Sequence, residues 1–311
     1  MPVRYHIVDA FTKEAFTGNP ASVICGDVVG EDKFQLIARE FNLAETAFTK
    51  ELEDHTPQKP HLELRWFTPW VEVPLCGHAT LATTAVLFSD ESPIKISPEA
   101  TEIVFESIKG AGTLVAKKLS NTRFSLDFPA EDVSKIAPVD SGPEFDQVAA
   151  NVLQACPELK GHIVKVTRLT QFGLLVEIST DINLEVLKVD AEALMKDKQE
   201  PLLNILTQPT PSDASKPDRD VQSRVFAPCA GVSEDPVTGA AHTCIAPYWL
   251  HFAKARLHSR TREAIENGTQ TVLKCRQVSA RGGDVDVTYD AKNSRVHLAG
   301  DTNMVMRGEI L

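Results

Sequence analysis

The chain has 311 residues, of which 42% are hydrophobic and 24% are charged. At roughly 100–200 residues per domain, this length predicts two domains or one large one, and so much apolar surface excludes disorder for most of the chain. Its 32 basic and 43 acidic residues leave a formal net charge of −11. Such a surface repels phosphate backbones and anionic headgroups, so we expect neither a nucleic-acid partner nor a membrane partner.

Two further features concern the cellular compartment. No run approaches the roughly 20 apolar residues of a spanning helix, and the first residues lack the basic and apolar regions of a leader peptide. The six cysteines include no C-x-x-C pair, which favours neither a zinc site nor a disulfide framework. We therefore expect a reduced cytoplasmic protein.

Strand patterns dominate the chain, with a few amphipathic helices between them. Strands are predicted over residues 3–11 and 21–25, around a turn-forming segment at 17–20. Apolar residues at helical spacing predict a helix that stops at Asn42 and another over 145–152. Near the C-terminus the pattern predicts four short strands, over 271–277, 284–289, 295–299 and 304–310.

The segment 208–224, QPTPSDASKPDRDVQSR, is polar and contains three prolines. This composition predicts an exposed loop. Because the motif that follows it belongs to the interior of the fold, we interpret the segment as an insertion rather than a domain linker.

An internal repeat indicates a duplicated domain. The stretch EVPLCGHA, from Glu72, aligns with EDPVTGAA, from Glu234, so that Glu, Pro, Gly and the final Ala coincide. Each copy leads through a glycine, Gly77 or Gly239, into an apolar stretch that is typical of a buried helix. Pro247 is expected to kink or end the second helix. We expect the two loops to meet across a pseudo-twofold cleft.

The start of each of these helices is a candidate anion site. Backbone N–H groups at a helix N-terminus lack helical partners, and the helix dipole favours a negative charge there. The turns at Gly77 and Gly239 are therefore candidate sites for an anion, such as a carboxylate or a developing enolate, which glycine allows to approach the backbone closely. The alternative is that both glycines only form structural turns.

Polar side chains lie on the same two loops. His78 is placed to bind an anion or to cap its helix, and Asp235 either contacts a ligand or forms the turn before a proline. Cys76 is a candidate thiol acid/base, although a free cysteine is often just a small buried side chain. His242, one turn into the second helix, is a candidate ligand contact or a packing residue.

Glu45 lies in the apolar run LAETAF. A carboxylate in such a run is costly to bury unless it is exposed or functional. A partly desolvated carboxylate is suited to taking and returning a proton. The alternative is a strand glutamate that faces solvent.

Together these motifs resemble the PhzF family of phenazine-biosynthesis isomerases. The matching segments, in order along essentially the whole chain, are DAFTKEAFTGNPASVI, NLAETAF, RWFTPWVEVPLCGHATLATTAVL, FAPCAGVSEDPVTGAAH and GDTNMVMRGEI. The resemblance implies the α+β fold of diaminopimelate epimerases: two similar domains related by a pseudo-twofold, each with a curled, mostly antiparallel sheet around a central helix. The C-terminal strand then returns to the first domain, which predicts domains over 1–118 with 304–311 and over 119–303.

The resemblance also implies an activity. It is that of an isomerase that uses no metal or organic cofactor and moves a proton on a small unsaturated amino or hydroxy carboxylate. Glu45 matches the acid/base, while His78 and Asp235 match the residues that bind and polarise the substrate. The two glycine turns match the site for its carboxylate. The family is commonly dimeric, so we expect a homodimer.

Two departures bear on this assignment. Epimerases and racemases of the same fold use two cysteines, whereas here Cys76 is matched by Thr238, whose hydroxyl is far too weak an acid to replace a thiol. Ala240 stands where the family pattern often has serine, which removes one bond to the substrate and leaves its identity open. The rival predictions are a two-base epimerase and a catalytically silent binding protein.

Overall fold

The computed structural model describes residues 2–26, 29–110, 112–170, 173–195, 201–211, 219–268 and 272–311. The chain divides into two compact units, one formed by Met1–Phe128 with His297–Leu311 and the other by Pro129–Val296. Among the described residues, no helix combines the length and the apolar character needed to cross a membrane.

The first unit alternates strands with two helices. In chain order its elements are β1 (Val3–Ala10), β2 (Asn19–Cys25), α1 (Phe34–Phe41), β3 (Glu45–Glu51), β4 (His61–Phe67), β5 (Glu72–Val73), α2 (Gly77–Leu87), β6 (Glu102–Ser107), β7 (Gly112–Lys118) and β8 (Arg123–Pro129).

The second unit also alternates strands with helices, and three α-helices lie among its described residues. Its elements are α3 (Pro143–Ala155), β9 (Ile163–Arg168), β10 (Gly173–Ile178), β11 (Leu203–Pro209), β12 (Val221–Ala227), β13 (Val232–Asp235), α4 (Gly239–His251), α5 (Ser259–Glu266), β14 (Val272–Gln277) and β15 (Gly283–Asp290). The last strand, β16 (Arg295–Ile310), begins here and continues into the first unit.

The strands of the first unit close into a ring around α2. Their order is β1-β2-β3-β4-β6-β7-β8-β16, and β16 also pairs with β1. The β2–β3 and β4–β6 pairs are parallel, while β1 is antiparallel to both of its neighbours. Every residue of α2 is buried except Ala85. Gly300 of β16 packs so closely against Phe11 that a Cβ on Gly300 would lie 2.4 Å from the Phe11 ring. The apolar stretch after Gly77 is therefore a central helix, as predicted.

The second unit repeats this plan with a sheet in the order β15-β14-β12-β11-β10-β9. Its parallel pairs are β10–β11 and β12–β14. Helix α4 packs on β11 and β15 and is buried over most of its length, while α3 contributes Val148 and Val152 to the apolar core. Each unit therefore contains mostly antiparallel strands and a buried central helix, which confirms the predicted α+β class.

Pro247 does not end α4, which runs on to His251. A proline lacks the N–H that would donate to the carbonyl four residues earlier. That carbonyl belongs to Thr243, and it accepts instead from the backbone N–H of Glu131 at 3.0 Å. The proline is tolerated because its missing hydrogen bond is replaced.

The predicted exposed loop over 208–224 is wrong at both ends. Strand β11 reaches Pro209 and β12 begins at Val221. Gln208 is buried and donates to the Ile182 carbonyl at 3.2 Å. Asp220, also buried, accepts from the Thr261 hydroxyl at 2.5 Å. Both residues thus form hydrogen bonds inside the unit. Positions 212–218 lie outside the described residues.

The other differences concern the C-terminal strands. The predicted strands over 295–299 and 304–310 form the single strand β16, because the polar residues between them continue the pairing: the Thr302 N–H donates to the Thr122 carbonyl at 2.7 Å. The first unit accordingly includes β8 and residues 297–303, beyond the bounds that we predicted from the sequence. Residue 271, predicted to begin a strand, is outside the described residues.

Candidate active site

The first unit brings together three of the predicted site residues. Glu45 is the first residue of β3, Cys76 precedes α2, and His78 is the second residue of that helix. The Nε2 atom of His78 lies 3.0 Å from Oε2 of Glu45, and Nδ1 of the same ring lies 3.4 Å from the Cys76 Sγ. The Glu45 side chain remains 17% exposed, whereas that of His78 is only 4% exposed. The carboxylate is therefore the part of this cluster that solvent can reach.

The contact between Glu45 and His78 is close, but among the described residues the buried Nε2 has no partner of hydrogen-bond geometry. It is best described as an ion-pair contact at 3.0 Å.

Asn19 also contacts this cluster, which the sequence did not indicate. It is fully buried, and its Nδ2 lies 3.1 Å from Nδ1 of His78. As the first residue of β2, it is held by its pairing with Ala10 on β1. The only signal was the Gly-Asn-Pro segment, which we had interpreted as a turn.

The two histidines on the central helices differ in their electrostatics. Burial lowers the pKa of His242 to about 4, since only the carbonyl of Thr238, at 2.8 Å, favours the charged ring. Burial also acts on His78, but Cys76 and Glu45 overcome it and hold the pKa of His78 well above 6.5. Burial and the Glu45 charge raise the pKa of Cys76 to about 11, so its thiol is neutral at pH 7. At that pH, the Glu45 carboxylate is the charge that favours a proton on His78.

The Glu45, Cys76 and His78 donor atoms lie within 4.8 Å of one another, and this set of donor types suits zinc. Their arrangement fits a metal poorly, because the carboxylate and the thiol face opposite nitrogens of the imidazole. An ion bound at one nitrogen would lie away from the donor that faces the other.

The second unit forms a separate network around Asp235. The Thr238 hydroxyl donates to Oδ2 of Asp235 at 2.6 Å. Gln277, on β14, accepts from the Thr238 N–H at 2.9 Å and donates to the Asp235 carbonyl at 2.5 Å. Gln277 was not predicted, because its role depends on a contact between distant segments. The network fixes Asp235 at the end of β13.

The remaining predicted residues lie at the start of α4. Gly239 is the first residue of the helix and is buried, while Ala240 is partly exposed. Thr238, the N-cap residue, makes no side-chain capping hydrogen bond, since its hydroxyl is directed to Asp235. His242 points back to the Thr238 carbonyl and is fully buried, which matches the packing alternative better than a ligand contact.

An arginine braces the repeated glutamate in each unit. In the first unit, Arg65 forms two hydrogen bonds to Glu72, at 2.7 and 3.0 Å. In the second, Arg224 contacts Glu234 at 2.7 and 2.8 Å. Arg65 stands two residues before Phe67, and Arg224 stands two residues before Phe226. Each guanidinium lies over the ring of that phenylalanine, at 5.3 and 5.1 Å. The sequence repeat is thus also a repeat of contacts. The arginines at matching positions were a sequence signal for these contacts that our sequence analysis missed.

The chain is similar to known proteins over its whole length. A family model described as phenazine biosynthesis-like protein, PhzC-PhzF, matches residues 8–308. The chain belongs to the PhzF family. This confirms the resemblance found in the motifs.

Relatives and a solved structure agree with this membership. Phenazine biosynthesis-like domain-containing protein 1 of Mus musculus is 35% identical over 319 residues, covering 100% of this chain and 99% of the relative. A Pseudomonas aeruginosa protein named as an uncharacterized isomerase is 34% identical over 312 residues, with 100% and 99% covered. The crystal structure of a PhzF family protein from Enterococcus faecalis has a TM-score of 0.74 and 31% identity, with both chains fully covered.

Proposed function

We propose that this chain is an isomerase that moves a proton on a small unsaturated amino or hydroxy carboxylate, with Glu45 as the acid/base. The observation that carries the proposal is the solvent-reachable carboxylate of Glu45 beside the buried ring of His78, 3.0 Å away. Relatives that are named isomerases support the reaction class.

The proposed step needs one proton acceptor. Glu45 takes a proton from one substrate carbon, the C–H electron pair moves into the conjugated system, and an O–H bond forms on the carboxyl group. The same group then returns the proton to another carbon on that face. His78 stabilises the carboxylate between transfers and polarises the substrate, since its proton lies close to the reacting oxygen.

The substrate carboxylate is proposed to bind at Gly77 and at the Gly239–Ala240 turn. Both helices begin there without a side-chain cap, which leaves backbone N–H groups and the helix dipole to favour an anion. Asp235 is proposed to bind the substrate's amino or hydroxy group, with its carboxylate oriented by Thr238.

The proposal also covers the cofactor requirement, the oligomeric state, the cellular location and the class of substrate. The family resemblance supports a reaction without metal or organic cofactor and a homodimer in the cytoplasm. The net charge of −11 supports a small-molecule substrate rather than nucleic acid or a membrane surface.

A two-base reaction is less consistent with the site. With a pKa of about 11, Cys76 is a protonated thiol at neutral pH and a poor base. The hydroxyl at the second cysteine's position, on Thr238, is engaged with Asp235.

The test is proton exchange in D₂O, followed by NMR, on a panel of small unsaturated amino and hydroxy carboxylates that includes dihydro-hydroxyanthranilate. Glu45→Gln should lower the rate of exchange or double-bond migration by about 10²–10⁴-fold, the usual contribution of a general acid/base. Glu51→Gln is the matched control, because Glu51 lies at the exposed end of the same strand. Its rate should equal that of the unmodified protein.

Three results would contradict the proposal. Exchange that survives Glu45→Gln but is lost in Cys76→Ser would assign the chemistry to the thiol. A rate unchanged in both variants would remove both groups from the reaction. No exchange with any compound of the panel would contradict the substrate class and favour a binding protein.

A further inference from the structure

Two hydrogen-bond donors converge on a single atom of the His78 ring. The amide Nδ2 of Asn19 lies 3.1 Å from Nδ1, and the Sγ of Cys76 lies 3.4 Å from the same nitrogen. All three residues are buried. An amide N–H is the stronger donor of the two, because a thiol is only a weak one.

A neutral imidazole has one N–H and one lone pair, so the partner at one nitrogen decides the state of the other. An amide N–H directed at Nδ1 requires the lone pair there and leaves the proton on Nε2. That is the nitrogen 3.0 Å from Glu45. The neutral ring then presents an N–H, and not a lone pair, to the carboxylate.

We propose that Asn19 is a positioning residue: when the Glu45 charge is lost and His78 is neutral, Asn19 keeps Nδ1 unprotonated and the ring's proton on Nε2, facing Glu45. The inference deepens the proposed function and rests on it for the role of Glu45. The residue acts through His78 and does not touch the reacting atoms.

The backbone holds Asn19 in a fixed place for this task. Gly18, just before it, has a φ of +69°, and a Cβ there would lie 2.3 Å from the Ala10 carbonyl oxygen. Only glycine fits this turn. Asn19 itself pairs with Ala10 in the β1–β2 ladder. The side chain therefore starts from a rigid strand end, as an orienting group requires.

The experiment reads the protonation of each ring nitrogen directly, by NMR of protein that carries ¹⁵N-labelled histidine. The resonances of His78 are identified among the nine histidines by their loss in His78→Gln. The Glu45→Gln background is used because it removes the charge that favours a second proton on the ring. We expect Nδ1 to be unprotonated and Nε2 to be protonated in this background.

Substitutions at Asn19 test the cause. Asn19→Asp replaces a donor by an acceptor of the same shape, so Nδ1 should gain a proton. Asn19→Leu removes both the donor and the acceptor at this position and should give a mixture of the two neutral tautomers of His78. Cys76→Ala is the control for the weaker donor and should leave Nδ1 unprotonated. Asn204→Asp places a carboxylate at another buried asparagine, in the second unit, and should leave the His78 resonances unchanged.

The proposal is overturned if Nδ1 carries the proton in the Glu45→Gln protein, or if Asn19→Asp leaves Nδ1 unprotonated. Should Asn19→Asp fail to fold, the first of these measurements still decides. The spectra need no substrate, so they stand apart from the exchange assay. A wrong reaction class would leave the ring nitrogens as described, and a wrong tautomer would leave the Glu45→Gln exchange result intact.

Discussion

The buried His242 should make the second unit sensitive to mild acid. Its pKa is about 4 in the folded protein and 6.5 when unperturbed, because burial opposes the charge. The unfolded chain therefore binds a proton that the folded chain does not, and stability is lost as the pH falls through 6.5. The loss is complete below about pH 4, and linkage puts it at about 2 kcal/mol between pH 7 and pH 5.

The measurement is the free energy of unfolding by urea, followed by circular dichroism at pH 7, 6 and 5. In His242→Gln this titration is absent, so the difference in stability between the two proteins should shrink by about 2 kcal/mol from pH 7 to pH 5. His297→Gln, at a 38% exposed side chain, controls for the loss of a histidine outside the core. Parallel pH profiles for the unmodified protein and His242→Gln would refute the reasoning.

Two other substitutions probe the second site and the core of the first unit. Thr238→Val removes the hydroxyl that holds Asp235 and should slow exchange about tenfold, as the loss of a hydrogen bond to a charged group predicts, while Thr238→Ser should retain the rate. Equal rates in both variants would show that the hydroxyl is dispensable. Leu81→Ala, in the fully buried α2, should lower the free energy of unfolding in urea by about 2–5 kcal/mol, whereas the exposed Leu36→Ala should change it by less than about 0.5 kcal/mol. Similar values for the two leucines would contradict the assignment of α2 as the core helix.

Local signals in the sequence predicted α1 to α4, whereas α5 was missed. Helix α1 ends where Asn42 adopts a left-handed conformation, with φ of 52°. This helix was predictable because its apolar spacing and its stop residue are both local properties of the sequence. The central helices followed from apolar stretches after Gly77 and Gly239. Segments whose structure depends on distant partners were predicted poorly. Residues 300–303 resemble a turn, yet pairing across the sheet keeps them in β16.

The site was predictable only in part, for the same reason. Cys76 and His78 share one loop of the repeat, whereas Glu45 lies on a separate segment that only the family resemblance linked to His78. They come together because α2 lies inside the closed ring of strands and packs against β3, which is one strand of that ring. Asn19 escaped notice because a Gly-Asn-Pro segment predicts a turn, and nothing local indicates that its amide faces a histidine. Gln277 was missed in the same way.

The two arginine–glutamate pairs are equivalent in the two halves of the chain, but the loops that they support carry different residues. Arg65–Glu72 and Arg224–Glu234 support the two loops in the same manner, yet the residues that follow differ: one loop carries Cys-Gly-His and the other Thr-Gly-Ala. The framework is thus symmetric, while the proposed acid/base and its neighbouring histidine belong to the first copy and the proposed substrate ligand Asp235 belongs to the second. Ala240→His would give the second loop the Gly-His pair that the first loop carries.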